Sequence, residues 1–288
     1  MRDNQARATG RILKWLHTKV DAVWGQDPSE FDPEAVRATL AGIGRLFGEK
    51  RYFRLDVRGW ENVPASPAMM VSNHSGGTTI PDVWGFLFAW YKQFGLERPI
   101  HPMAHEIVLS NPVTGAYFGK RGVLHGSRKL AREVLVDHRR HLMVMPGGDL
   151  DTWRPYSKRY EVCFGGRTGY AKLALEAGVP IIPMANAGAH ETLIVLTDGR
   201  PLARALRLPE LARANIFPVH LSLPWGLAIG PLPHIPVPTR LRYRIGPPVL
   251  PPEPVAPGEE PSEALVRAYD AKVQAAVQRL LHDLRDDR

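Results

Sequence analysis

Apolar residues fall along this chain in short runs bounded by glycine, proline and polar positions, and these runs alternate with stretches of helical period. The runs at 53–57, 68–72, 142–145, 181–184 and 241–245 predict strands, and helical patterns begin near Pro81, Ser127 and Thr168. Such alternation predicts an α/β fold with a mostly parallel central sheet flanked by helices. Two amphipathic stretches precede it. Ile12, Leu16, Val20, Val23 and Trp24 share one helical stripe, with Arg7, Arg11, Lys14 and Lys19 around it. A second helix is predicted after Asp32 as N-cap and Pro33, with Val36, Leu40, Ile43, Leu46 and Phe47 at helical spacing. The chain therefore divides into an N-terminal amphipathic helical pair, 1–50, either membrane-facing or packed on the core, and a single domain, 51–288. Trp15 and Trp24 favour the bilayer interface for the first helix.

The Pro-rich span 218–254 predicts irregular loops around a late strand. Ser262 caps a last helix in which Val266, Tyr269, Val273, Val277, Leu280 and Leu284 keep the period. At 288 residues two domains would be allowed by length, yet no low-complexity linker divides the middle. The longest apolar stretch, near 83–91, is far short of the roughly 20 residues that cross a bilayer, and no signal-peptide pattern opens the chain. A single cysteine, Cys163, excludes an intramolecular disulfide and fits a reducing compartment.

A net charge of +8 and a pI near 9.7 imply an anionic partner. Nucleic acid is disfavoured, because the basic residues are not interleaved with stacking aromatics and no known binding motif is present. Anionic lipid surfaces and acidic substrates remain.

The richest chemistry lies in Asn73-His74-Ser75-Gly76-Gly77-Thr78-Thr79-Ile80-Pro81-Asp82. An apolar strand precedes it and Pro81 suits the first turn of a helix, so His74 sits on a strand-to-helix loop, where α/β folds place active sites. Asp82, in the first helical turn, is favoured in its charged form and can hold a histidine N–H, leaving the imidazole as a base.

Four segments in order resemble the glycerolipid acyltransferases, the superfamily of lysophosphatidic acid acyltransferases and, more distantly, diacylglycerol acyltransferases. The His74–Asp82 segment resembles their first block with a longer loop, seven residues where the family has four. Phe118-Gly119-Lys120-Arg121 resembles the second, Met145-Pro146-Gly147-Gly148 the third, and Val179-Pro180-Ile181-Ile182-Pro183 the fourth. The third lacks the usual glutamate and is closer to the Pro-Gly-Gly form of the neutral-lipid branch. The resemblance covers about 55–250.

That resemblance implies an O-acyltransferase moving a fatty acyl group from acyl-CoA, or acyl carrier protein, to a glycerol hydroxyl of a lysophospholipid. Lysophosphatidic acid is the first choice of acceptor, and monoacylglycerol or diacylglycerol the second. His74 would act as general base and Asp82 would fix its tautomer. Backbone N–H groups around Gly147 and Gly148 would face the oxyanion, if Asp149 turns away. Arg121 is the first choice for acceptor phosphate, and Arg154 and Arg167 the second. Trp84, Phe86 and Phe88 either line an acyl groove or belong to the core. The expected setting is peripheral, on the cytoplasmic face of a membrane. No cofactor beyond the acyl donor is expected. No metal site is expected either, because neither His105-Glu106 nor His190-Glu191 completes a zinc motif.

Two other classes fit part of the sequence. Asn73-His74-Ser75-Gly76-Gly77 resembles a degraded nucleophile elbow, which would make Ser75 the nucleophile of a lipase or esterase. The basic amphipathic helices alone would suit a non-enzymatic lipid-binding protein.

Overall fold

The computed structural model describes residues 24–48, 50–212, 215–256 and 259–287. Ile12, Leu16, Val20 and Val23 of the first amphipathic stripe, with Trp15 and the surrounding basic residues, lie outside them. Seven strands form the central sheet: β1 (Phe53–Arg58), β2 (Met69–Ser72), β3 (Ile100–Ala104), β4 (Leu124–His125), β5 (His141–Val144), β6 (Ile181–Ala187) and, after three strands of a separate sheet, β10 (Thr239–Ile245). Their order is β1-β10-β6-β2-β5-β3-β4. β6, β2, β5, β3 and β4 are mutually parallel, whereas β10 runs antiparallel to β6 and carries β1 with it. The mostly parallel α/β architecture predicted from the pattern is the one observed.

Strand β2 shows why the sheet is buried on both faces. Met69 and Val71 belong to the apolar cluster built with the helices Gly169–Ala177 and Glu263–Asp286, and Met70 to the opposite cluster with Phe86, Leu87 and Trp90. A strand read as a continuous apolar run is the expected signature of such a sandwiched position. The last helix forms where predicted, with Ser262 Oγ accepting from the Leu265 N–H at 3.2 Å. The helix Pro33–Ile43 likewise starts at Asp32, whose carboxylate accepts from the N–H groups of Glu34 and Ala35. Its Val36, and Phe47 beyond it, pack into the core, with Phe47 stacked on Phe53 and Phe88. Trp24 packs on Gly115, where an added Cβ would meet its indole at 2.3 Å.

The Pro-rich span departs from expectation. Instead of irregular loops, it holds two strands, β8 (Val219–Ser222) and β9 (Gly226–Ile229), which join β7 (Ile194–Thr197) in a separate antiparallel sheet of order β7-β8-β9. Prolines punctuate these strands and interrupt none of them.

Candidate active site

Three loops meet beyond the C-terminal ends of the parallel strands. β2 leads into Asn73 and His74, β5 into Pro146-Gly147-Gly148, and β6 into Gly188 and His190. The chain leaves β2 towards β3 on one side and β5 towards β6 on the other, so these loops diverge around a crevice position typical of α/β sheets.

The seven residues between His74 and Asp82 fold back tightly. Gly76 and Gly77 take φ values of 96° and 60°, and Ile80, a β-branched residue, takes φ 41° just before the helix Pro81–Phe94. At Gly76 a Cβ would collide with the Pro81 ring at 2.6 Å. A left-handed Ile is sterically costly, and such strain persists where the surroundings demand it. The result is a hydrogen bond of 2.7 Å between His74 Nδ1 and Asp82 Oδ2.

Asp82 is wholly buried and both of its carboxylate oxygens accept hydrogen bonds. Oδ2 also accepts from the Ser75 N–H at 2.8 Å, and Oδ1 from the Val83 N–H at 2.9 Å. The helix that carries it is fixed from behind, since Tyr243 Oη donates to the Asp82 carbonyl at 2.8 Å and Gly85 lets β10 approach. His74 keeps 15% of its side chain exposed. With Nδ1 bonded to Asp82, Nε2 is the ring nitrogen left to accept a proton.

Two neighbours absent from the sequence reading hold His74 in place. The Asp151 carboxylate accepts from the His74 backbone N–H at 2.5 Å and forms a buried ion pair with Arg154. Asn186, at the end of β6, exchanges bonds with Asn73: its N–H donates to Asn73 Oδ1 at 2.8 Å, and Asn73 Nδ2 donates to its carbonyl at 2.9 Å. The signal for Asp151 was an Asp-x-x-Arg spacing on a helical turn just after the glycine pair. Asn186 gave no such signal. His190, buried nearby, has its pKa pushed well below the usual histidine value by burial and then by the Arg154 charge, so it is neutral.

The predicted ligands fall in distinct places. Arg121 donates to Thr39 Oγ1 at 2.5 Å and to the Tyr117 carbonyl at 2.6 Å, with its guanidinium 3.5 Å from the Tyr117 ring centroid. Arg154 is sealed against Asp151, and burial lowers its pKa to about 10. Arg167 caps the carbonyls of Pro146 and Gly147 at 3.0 and 2.7 Å and pairs with Asp149 at 2.8 Å. Burial opposes the Asp149 charge, but bonds from Arg167 and Asn215 outweigh it and hold its carboxyl below the ordinary range. Gly147 sits where a Cβ would meet Asp151 and the Cys163 carbonyl at 2.3 Å, and Gly148 takes φ 49°. The Gly148 N–H bonds to the Met145 carbonyl at 3.1 Å, which removes it as an oxyanion donor in this conformation.

Ser75 is buried and its hydroxyl donates to Asn186 Oδ1 at 2.8 Å, not to His74. Of the aromatic residues considered for a groove, Phe86 is core, and Trp84 stacks on Phe118. A separate groove lined by Pro183, Pro247, Val249, Lys272 and Arg279 shares no residue with the His74 loop. Among the described residues no helix is long and apolar enough to cross a membrane.

Comparison with known proteins shows what this chain is similar to. Residues 54–187 match the acyltransferase family profile. An uncharacterized protein of Mycobacterium tuberculosis is 27% identical over 246 residues, 85% of this chain and 65% of its own length. The human protein named DGAT1/2-independent enzyme synthesizing storage lipids is 28% identical over 185 residues, 63% of this chain and 54% of its own. The chain thus spans less than two thirds of the curated relatives it matches. The crystal structure of the 1-acyl-sn-glycerophosphate acyltransferase PlsC from Thermotoga maritima aligns over 97% of this chain and 98% of that one, with a TM-score of 0.47 and 17% identity. Residues 54–187, just under half of this chain, are thus similar to an acyltransferase domain.

Proposed function

We propose that the chain transfers a fatty acyl group from acyl-CoA, or from acyl carrier protein, to a free glycerol hydroxyl of a lipid acceptor. The 2.7 Å bond between His74 Nδ1 and Asp82 carries this reading. His74 Nε2 takes the hydroxyl proton while the oxygen attacks the thioester carbon. The carbon–sulfur bond then breaks, the ester forms, and the proton passes to the leaving thiolate. General-base assistance of this kind contributes about 10²–10⁴-fold. Asp82 holds the tautomer and stabilises the imidazolium, as the acid does in a Ser-His-Asp triad.

The placement of the arginines favours an uncharged acceptor, monoacylglycerol or diacylglycerol, over lysophosphatidic acid. Arg121, Arg154 and Arg167 are each engaged by protein groups, and an anion would have to displace those partners. The Pro-Gly-Gly third block and the storage-lipid name of the vertebrate relatives support the same choice. The test offers the purified full chain labelled palmitoyl-CoA with monoacylglycerol, diacylglycerol and lysophosphatidic acid in parallel, and identifies products by mass. Triacylglycerol or diacylglycerol as the main product, with an acceptor KM unchanged by Arg121→Ala, is the expected result. Phosphatidic acid as main product, with a KM raised by that substitution, would restore lysophosphatidic acid.

A further inference from the structure

The small sheet turns its usual pattern inside out. Antiparallel sheets covered on one side bury apolar residues and expose polar ones. Here β8 buries His220 and Ser222 and exposes Leu221, while β9 exposes Leu227 (64%) and Ile229 (56%). Ile194, Leu221 and Leu227 are register partners, so they form one apolar row across all three strands. From Asn215 to Thr239 the sequence contains no Asp, Glu, Lys or Arg. Exposed edges are ordinarily protected by charge, and an unprotected apolar face of this kind marks an interaction surface.

Three further observations identify the partner. Trp225, half exposed at the β8–β9 turn, anchors its indole N–H on the Pro233 carbonyl at 2.6 Å, leaving an amphipathic ring at the rim. The connection from β7 to β8 places exposed Arg204 and Arg207 at the other end of the same sheet. The segment after β9 is tied to the catalytic loop: Thr78 Oγ1 donates to the Pro231 carbonyl at 3.0 Å, and Thr79 Oγ1 lies 3.2 Å from His234 Nε2. Leu193, immediately before β7, lies within 3.2 Å of where a Cβ on Gly77 would stand.

We propose that the outward face of β7-β8-β9, with Trp225 and the arginines at its ends, docks on an anionic bilayer surface and sets the His74 loop against the lipid. Apolar side chains supply the insertion, and the arginines supply the attraction to anionic headgroups. This deepens the reading above, in which the acceptor is a lipid, by naming the surface through which that lipid reaches the site.

Co-sedimentation of the full chain with vesicles of phosphatidylcholine and phosphatidylglycerol in equal parts tests it. The variant Leu196→Ser/Leu227→Ser/Ile229→Ser changes only exposed positions, and an unchanged unfolding midpoint verifies its fold. We expect its partition onto vesicles to fall about tenfold or more. Val113→Ser, at an exposed apolar position elsewhere, should leave partition unchanged. Arg204→Glu/Arg207→Glu should weaken binding to the mixed vesicles and leave binding to pure phosphatidylcholine unaltered. Full partition by the triple variant overturns the proposal. So does a change from dimer to monomer with partition retained, which would make the face a contact between copies. Loss of partition in a chain that acylates no acceptor would keep the docking surface and overturn the acyl-transfer reading instead.

Discussion

The backbone N–H of His74 donates to the carboxylate of Asp151 at 2.5 Å, across 77 positions of sequence. The His74 loop and the glycine-rich loop after β5 are therefore one construction, because the same carboxylate is paired with buried Arg154. Asp151→Ala strands the guanidinium without a counter-charge, a change that typically costs about 3–5 kcal/mol. Adding Arg154→Met should recover much of that loss. Denaturant midpoints of the single and double variants check both expectations.

Asp82→Asn preserves shape and replaces one carboxylate oxygen with an amide, which presents donors where the His74 Nδ1–H and Ser75 N–H need an acceptor. Turnover should fall by about 10²–10⁴-fold through the wrong tautomer, with KM little changed. Steady-state kinetics separates the two constants.

Gly147→Ala forces a methyl group against Asp151 and the Cys163 carbonyl, both at 2.3 Å. Overpacking of this kind costs about 1–3 kcal/mol. Gly169→Ala, at a position with nothing within 4 Å, is the matched control and should be neutral or slightly stabilising. Thermal unfolding of the pair distinguishes a local clash from a general intolerance of the region.

Burial lowers the pKa values of His101, His141 and His234 to about 4 from the ordinary 6.5. Between those values the unfolded chain binds protons that the folded chain refuses, so stability is full above about pH 6.5 and falls as pH drops towards 4. Unfolding midpoints measured across this window should show the decline. His101→Gln should flatten it relative to the parent chain.

Much of the scaffold was legible because its strands are buried on both faces and therefore read as apolar runs. The segments missed have physical reasons. β3 contains His101 and Pro102, and β4 is two residues long, too short for any period. β8 and β9 carry a pattern inverted with respect to burial, among prolines that read as loop. His74 and Asp82 were legible because their bond spans eight positions, within one strand-to-helix unit. Asp151 and Asn186 reach the same loop from 77 and 113 positions away, and only the register of β2 between β5 and β6 brings them there.

The most direct test is His74→Ala, assayed with labelled palmitoyl-CoA and an acylglycerol acceptor by mass of the ester formed. The imidazole should supply about 10²–10⁴-fold of the rate, so ester formation should fall by that factor in a variant whose unfolding midpoint stays near the parent value. Ester formation at the parent rate in the folded variant would contradict the assignment of His74 as the base.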